Sequence, residues 1–153
     1  MNIRLIKSSE KKEILNKLNN NYGITSLPFL LIESGKEKVR GYTGHLSKEE
    51  ILDLTRIAKV EVIGLYLFKK EKDNELRLSF EAPANKEIQK QLSKNTIELN
   101  EEQSKSWMKG NDIEVPCQEG YVVLKHKDDF LGCGKSNGKI IFNHVPKDRR
   151  VRR

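Results

Sequence analysis

The segment FLGCGKSNGKIIFNHVPKDRR, residues 130–150, decides how this chain is read. Its Gly134-Lys135-Ser136 triplet matches the end of a nucleotide-binding P-loop, which needs G-x-x-x-x-G-K-[ST] opening a helix directly after a strand. Setting these residues on the last three positions puts Asp129 where the first glycine belongs, and a carboxylate there repels phosphate. Asn137–Gly138 and the β-rich KIIFN follow, so no helix N-terminus is offered to an anion. The segment reads instead as two strands joined by Asn137–Gly138, a type I′ turn whose central residues both take positive φ. Gly132 and Gly134 then fall inside the first strand, where glycine marks a bulge or a close backbone approach.

Short strands surround this hairpin. DIEVP, GYVVLKH, DFLGCGK and KIIFNHVP are separated by Gly120, Lys127–Asp128 and Asn137–Gly138, a spacing that predicts a small barrel or sandwich. Upstream lie a helix over residues 101–108, capped by Asn100 with Gln103 three residues on and ended by Gly110, a strand near Thr96 to Leu99, and a short helix from Asn85 to Leu92. Pro83 biases Ala82 toward extended backbone, which places a domain junction there: residues 1–82 and residues 83–153. The first unit opens with an amphipathic helix from Ser9 to Asn19. LPFLLIES and EKVRGYTG follow as strands, then a helix capped by Ser47 and Glu50 with Ile51, Leu54 and Ala58 as its apolar face. EVIGLYLFKK and ELRLSFEA make a hairpin around KDN. The fold class expected is α+β: an N-terminal mixed α/β unit followed by a small β-barrel.

Composition narrows the function. Of 153 residues 36% are hydrophobic and 33% charged, enough for a core beneath a heavily charged surface. No apolar run is long enough to span a bilayer and no signal-peptide core precedes the first helix, so a cytoplasmic location is expected. Cys117, His126, Cys133 and His144 lack the short C-x2–4-C spacing of structural zinc sites, and no metal or cofactor is expected. The three histidines have no motif nucleophile beside them and no dinucleotide fingerprint occurs, so no enzymatic activity is expected.

The net charge of +7 is placed unevenly. From Lys125 onward nine basic side chains stand against three acidic ones, a net +6, and residues 1–124 hold the remaining +1. A clustered basic face favours a polyanion, because each neutralised phosphate releases condensed counterions. Lys125, Lys127, Lys135 and Lys139 lie around the hairpins, Lys147, Arg149, Arg150, Arg152 and Arg153 extend past them, and Lys105 and Lys109 flank Trp107 on the preceding helix. Tyr121, Phe130 and Phe142 sit at strand spacing and read as core; Trp107 fits either the core or an exposed stacking surface.

The order of short helix, strand, helix (NEEQSKSWMKG) and then GYVVLKHKDDFLGCGKSNGKIIFNHVPKDRR resembles a PUA domain, the small RNA-binding barrel fused to pseudouridine synthases and archaeosine transglycosylases. FLGCGK…NGKIIFNHVPKDRR is especially similar to the PUA-like C-terminal end of Sun-family cytosine-methylating RNA enzymes. YTGHLSKEEILDLTRIAKVEVIGLYLFKKEKDNELRLSFEA resembles the pre-PUA domain of ribosome-assembly proteins related to the eukaryotic Nip-seven factor. These resemblances imply binding of rRNA or pre-rRNA, or of tRNA, with assembly or modification proteins as partners. They place the RNA on the basic face carrying Lys135, Lys139, Lys147, Arg149 and Arg150, flanked by Lys105 and Lys109. The VPKDRRVRR ending belongs to the methyltransferase-associated form. Ribosome assembly and support of RNA modification therefore both stand as readings, beside a protein-interaction adaptor.

Overall fold

A computed structural model describes residues 3–35, 37–60 and 62–152. The chain folds as α+β around two five-stranded sheets. The first is an antiparallel meander of β1 (Ile3–Leu5), β2 (Leu30–Ser34), β3 (Lys38–Tyr42), β4 (Leu65–Lys70) and β5 (Leu76–Leu78), in that spatial order. Helix α1 (Ser8–Tyr22) connects β1 to β2, and α2 (Lys48–Ile57) connects β3 to β4. A 3-10 turn (Ala82–Ala84) and the short α3 (Lys86–Gln89) lead into the second sheet. Its elements are β6 (Thr96–Glu98), α4 (Glu101–Met108), β7 (Ile113–Glu114), β8 (Gly120–His126), β9 (Asp129–Ser136) and β10 (Ile140–Phe142), and a 3-10 turn (Lys147–Arg149) follows. The spatial order is β6-β8-β9-β10-β7. Among the described residues only β6 and β8 run parallel, because α4 and β7 supply the crossover that a parallel pair needs.

The helix starts follow from local chemistry. Ser47 with Glu50 and Asn100 with Gln103 each form a complete capping box, side chain to backbone in both directions. Helix α2 keeps most of the expected face: Ile51 is fully buried and Leu54 half-buried, whereas Ala58 ends the helix exposed. Strand β1 was not expected from the sequence. Ile3-Arg4-Leu5 is too short a run for its alternation to signal a strand, and the strand exists through its pairing with β2.

The opening segment is bent as the glycines require. Leu131 and Gly132 together oppose the single residue Leu124, which is a bulge in β9. Gly132 has φ +87°, and a Cβ there would lie 2.7 Å from Cδ2 of Phe80; one at Gly134 would lie 2.6 Å from Cη2 of Trp107. Both the bulge and the close approach are present. The type I′ assignment fails, because the loop is displaced by one residue. Asn137 donates its N–H to the Ile140 carbonyl at 3.0 Å, so the central pair is Gly138–Lys139. Only Gly138 of these takes positive φ, at 99°, which fits the first position of a type II′ turn.

One apolar cluster joins the two sheets: Ile14, Leu18 and Tyr22 of α1 pack with Phe68, Leu76 and Leu78, and with Tyr121, Val123 and Cys133 of the second sheet. A second cluster, centred on Trp107 with Leu99, Val122, Leu124, Ile141 and Val145, fills the C-terminal sheet. Among the described residues no helix is long and apolar enough to cross a membrane.

Candidate nucleic-acid interface

Helix α4 brings Lys105 and Lys109 to the rim of a groove of about 490 Å³ floored by Met108, Leu131 and Val151. The far wall is built by the end of the chain. Val151 donates its N–H to the Met108 carbonyl at 2.7 Å, and Nε of Arg150 donates to the Val145 carbonyl at 3.1 Å. His126 and Asp129 close the groove at the β8–β9 turn. Nδ1 of His126 lies 2.8 Å from the Leu99 carbonyl, which can only accept, so Nδ1 carries a proton and the contact fixes the ring at the end of the groove. Lys109 has no ion pair among the described residues, and the Lys105–Glu101 pair at 3.5 Å joins two side chains more than two-thirds exposed. Both ammonium groups are therefore available to an incoming anion.

The other expected site residues are distributed more widely than one face. Lys125 lies 3.9 Å from Glu98 and over the Phe130 ring, while Lys127 sits in the β8–β9 turn with its N–H bonded to Glu98 at 2.8 Å. Lys135 stacks over Tyr121 and pairs with Asp73 of the first sheet's hairpin at 3.1 Å, a hydrogen bond that raises its pKa. Lys139 is exposed in the β9–β10 turn. Lys147 and Arg149 share a 3-10 turn, where Arg149 pairs with Glu81 at 2.7 Å. Arg150 is turned inward over Gly110 toward the Val145 carbonyl, and Arg152 is exposed beside Val151. Arg153 lies outside the described residues. The tail charge is thus partly spent on carboxylates of the N-terminal half.

The aromatics divide in the same way. Trp107 is fully buried and donates Nε1–H to the Leu131 carbonyl at 2.8 Å, so it is the pillar of the C-terminal core and not a stacking surface. Tyr121 is buried as expected, Phe130 is half-buried, and Phe142 is 41% exposed, against its reading as core. The four conceivable metal ligands are dispersed. Cys133 packs against Tyr22 and burial pushes its thiol up to about 12, Cys117 bonds Ser136, His126 bonds Leu99 and His144 meets Arg77. The groove's apolar floor, from Met108, Leu131 and Val151, escaped sequence reading, because the three residues lie far apart in the chain and meet only in the fold.

The bulged, curled sheet with its parallel β6–β8 pair and capped helix is consistent with a small PUA-like barrel. Residues 94–151 match the family model of the methyltransferase RsmF PUA domain, and this match over the same region supports a PUA-like domain, which suggests RNA binding. No curated protein sequence matches the chain.

Proposed function

We propose that this protein is a non-enzymatic, cytoplasmic RNA-binding protein that holds RNA in the groove between α4 and the C-terminal segment. Lys105 and Lys109 contact phosphates there, and the Met108–Leu131–Val151 floor receives an unstacked base. The observation that carries the reading is this apolar floor edged by two available lysines, within the region matched to an RNA-enzyme domain. The RNA is rRNA or its precursor, and the protein acts in ribosome assembly. A second reading, support of an RNA-modifying enzyme, is favoured by the methyltransferase origin of the matched domain. The test is RNA binding across a salt series with wild type and with Lys105→Glu plus Lys109→Glu. Affinity should fall linearly on log–log axes, by a slope of about 0.7 per phosphate for a single strand. A wild-type chain that retains no RNA at low salt, or a flat slope, sinks the reading.

A further inference from the structure

Away from the groove, the first sheet carries a second concentration of cations. Lys38 stands directly opposite Lys69, and Lys69 directly opposite Arg77, so three positive side chains lie in lateral register on β3, β4 and β5. Like charges set opposite each other in a sheet destabilise it. The register itself is fixed on the buried side, where Val39 and Leu78 both pair with Phe68.

A bulge adds to the same face. Val39 pairs with Phe68 but Arg40 pairs with Tyr66, leaving Leu67 unpaired; Leu67 and Phe68 both enter the core, so Tyr66 turns outward with Lys69. The Lys38 ammonium lies 5.2 Å and the Arg40 guanidinium 5.7 Å from the Tyr66 ring centroid, so the ring gathers two cations. Compensation is partial. Glu37 meets Lys69 at 3.4 Å and Glu71 meets Arg77 at 2.8 Å, whereas Lys38 and Arg40 have no acidic partner among the described residues. The buried Nε of Arg40 has no hydrogen-bond partner.

The C-terminal domain closes this cationic strip into a cleft of about 370 Å³, with His144 and Pro146 as its wall. Arg77 lies 2.8 Å from Nδ1 of His144, and burial, with the Arg77 charge, holds that imidazole below its ordinary pKa, so the neutral ring accepts. The wall continues into exposed Lys147.

We propose that the outward face of β3, β4 and β5 is a second RNA-binding surface, where Lys38, Arg40 and Lys69 take the phosphates of a single strand that runs on toward Lys147. This rests on the RNA-binding reading above and extends the bound strand onto the N-terminal sheet. Anionic phosphate is the ligand chemistry that relieves the opposed cations, and a sequence-tolerant cationic strip is how single strands are tracked.

The experiment measures anisotropy with a mixed-sequence single-stranded RNA across a salt series, for wild type, for Lys38→Glu plus Arg40→Gln, and for Lys105→Glu plus Lys109→Glu. The strip variant should bind several-fold more weakly, with its log–log slope reduced by about 0.7 for each phosphate it no longer neutralises. Thermal unfolding of the strip variant should occur no lower than wild type, since a glutamate at position 38 faces Lys69. If that variant proves less stable, Lys38→Gln alone is read, and a slope reduced by about 0.7 is expected. Wild-type affinity and slope in the strip variants, with the groove variant weakened, overturns this inference and leaves the RNA reading standing. Failure of wild type to bind removes both.

Discussion

The Tyr22 hydroxyl at the end of α1 donates to the Leu76 carbonyl at 2.6 Å and lies 3.9 Å from Sγ of Cys133 in β9. One fully buried side chain thereby joins the first helix, the edge of the first sheet and the middle of the second. The surrounding backbone repeats the connection. The Ser93 N–H reaches the Tyr22 carbonyl at 3.0 Å, and the Asn95 amide reaches the Asn21 carbonyl at 2.7 Å. Tyr22→Ala should therefore cost about 3–5 kcal/mol, the range for emptying a buried aromatic site. Trp107, the one tryptophan, reports on the C-terminal core. Its fluorescence transition should shift down together with the far-UV circular dichroism transition, although Tyr22 belongs to the other half. A Trp107 transition that stays in place would show that the shared core does not couple the sheets.

Gly132→Ala tests the bulge. Its φ of +87° disfavours any L side chain, and the added Cβ would sit 2.7 Å from the Phe80 ring. Backbone strain and overpacking together should cost about 2–4 kcal/mol, read as a lowered midpoint in urea. Combining it with Phe80→Ala should recover only the packing share, because removing the ring leaves φ unchanged. Full recovery in the double variant would assign the whole effect to the clash.

Acid should weaken the first sheet through Glu10. Arg4 bonds both Glu10 and Glu33, and Lys70 reaches the same two carboxylates at 3.3 and 3.1 Å. The Arg4 guanidinium holds the Glu10 carboxyl down to about 2 against an ordinary value near 4.5, and Lys70 assists while burial opposes. The folded state thus binds its proton later than the unfolded chain. The stabilisation is fully present above the ordinary value and is lost as pH falls toward 2. Allowing for solvent screening of a partly exposed group, about 1–2 kcal/mol is at stake. Glu10→Gln should flatten the stability-against-pH curve across that window. A variant curve parallel to wild type would show that Glu10 does not carry the acid response.

What could be read from the sequence was what neighbouring residues decide. Ser47 and Asn100 are followed three residues later by their capping partners, and a cap forms without help from the rest of the fold. The strands around Gly132 and Gly134 also follow from local pattern, and the glycine pair pointed correctly to a bulge and a close approach. The groove was half legible: Lys105 and Lys109 stood out by charge, but Val151 reaches Met108 only because the tail folds back across α4. Trp107 was ambiguous for the same reason, since the space it fills is made by Gly134 and Ile141 on distant strands. Counting charge along the tail overstated the basic face, because it could not show Glu81 and Asp73 arriving from the other half.

That last difference yields a ranking of lysines that charge alone would treat as equal. Lys135 is bonded to Asp73 at 3.1 Å and lies over Tyr121, so a phosphate must compete with a partner already in place. Lys109 has no such partner among the described residues and stands at the rim of an apolar groove. Lys109→Ala should weaken RNA binding several-fold and lower the salt slope by about 0.7, the signature of one phosphate left without its cation. Lys135→Ala should leave the slope unchanged, and its exposed ion pair should contribute at most about 1 kcal/mol to stability. Asp73→Ala supplies the converse: it frees Lys135 without touching the groove, so RNA affinity should stay level or rise. Were Lys135→Ala to match Lys109→Ala in slope, the face of the β8–β9 pair that carries Tyr121 and Lys135 would belong to the interface and the groove alone would not define it.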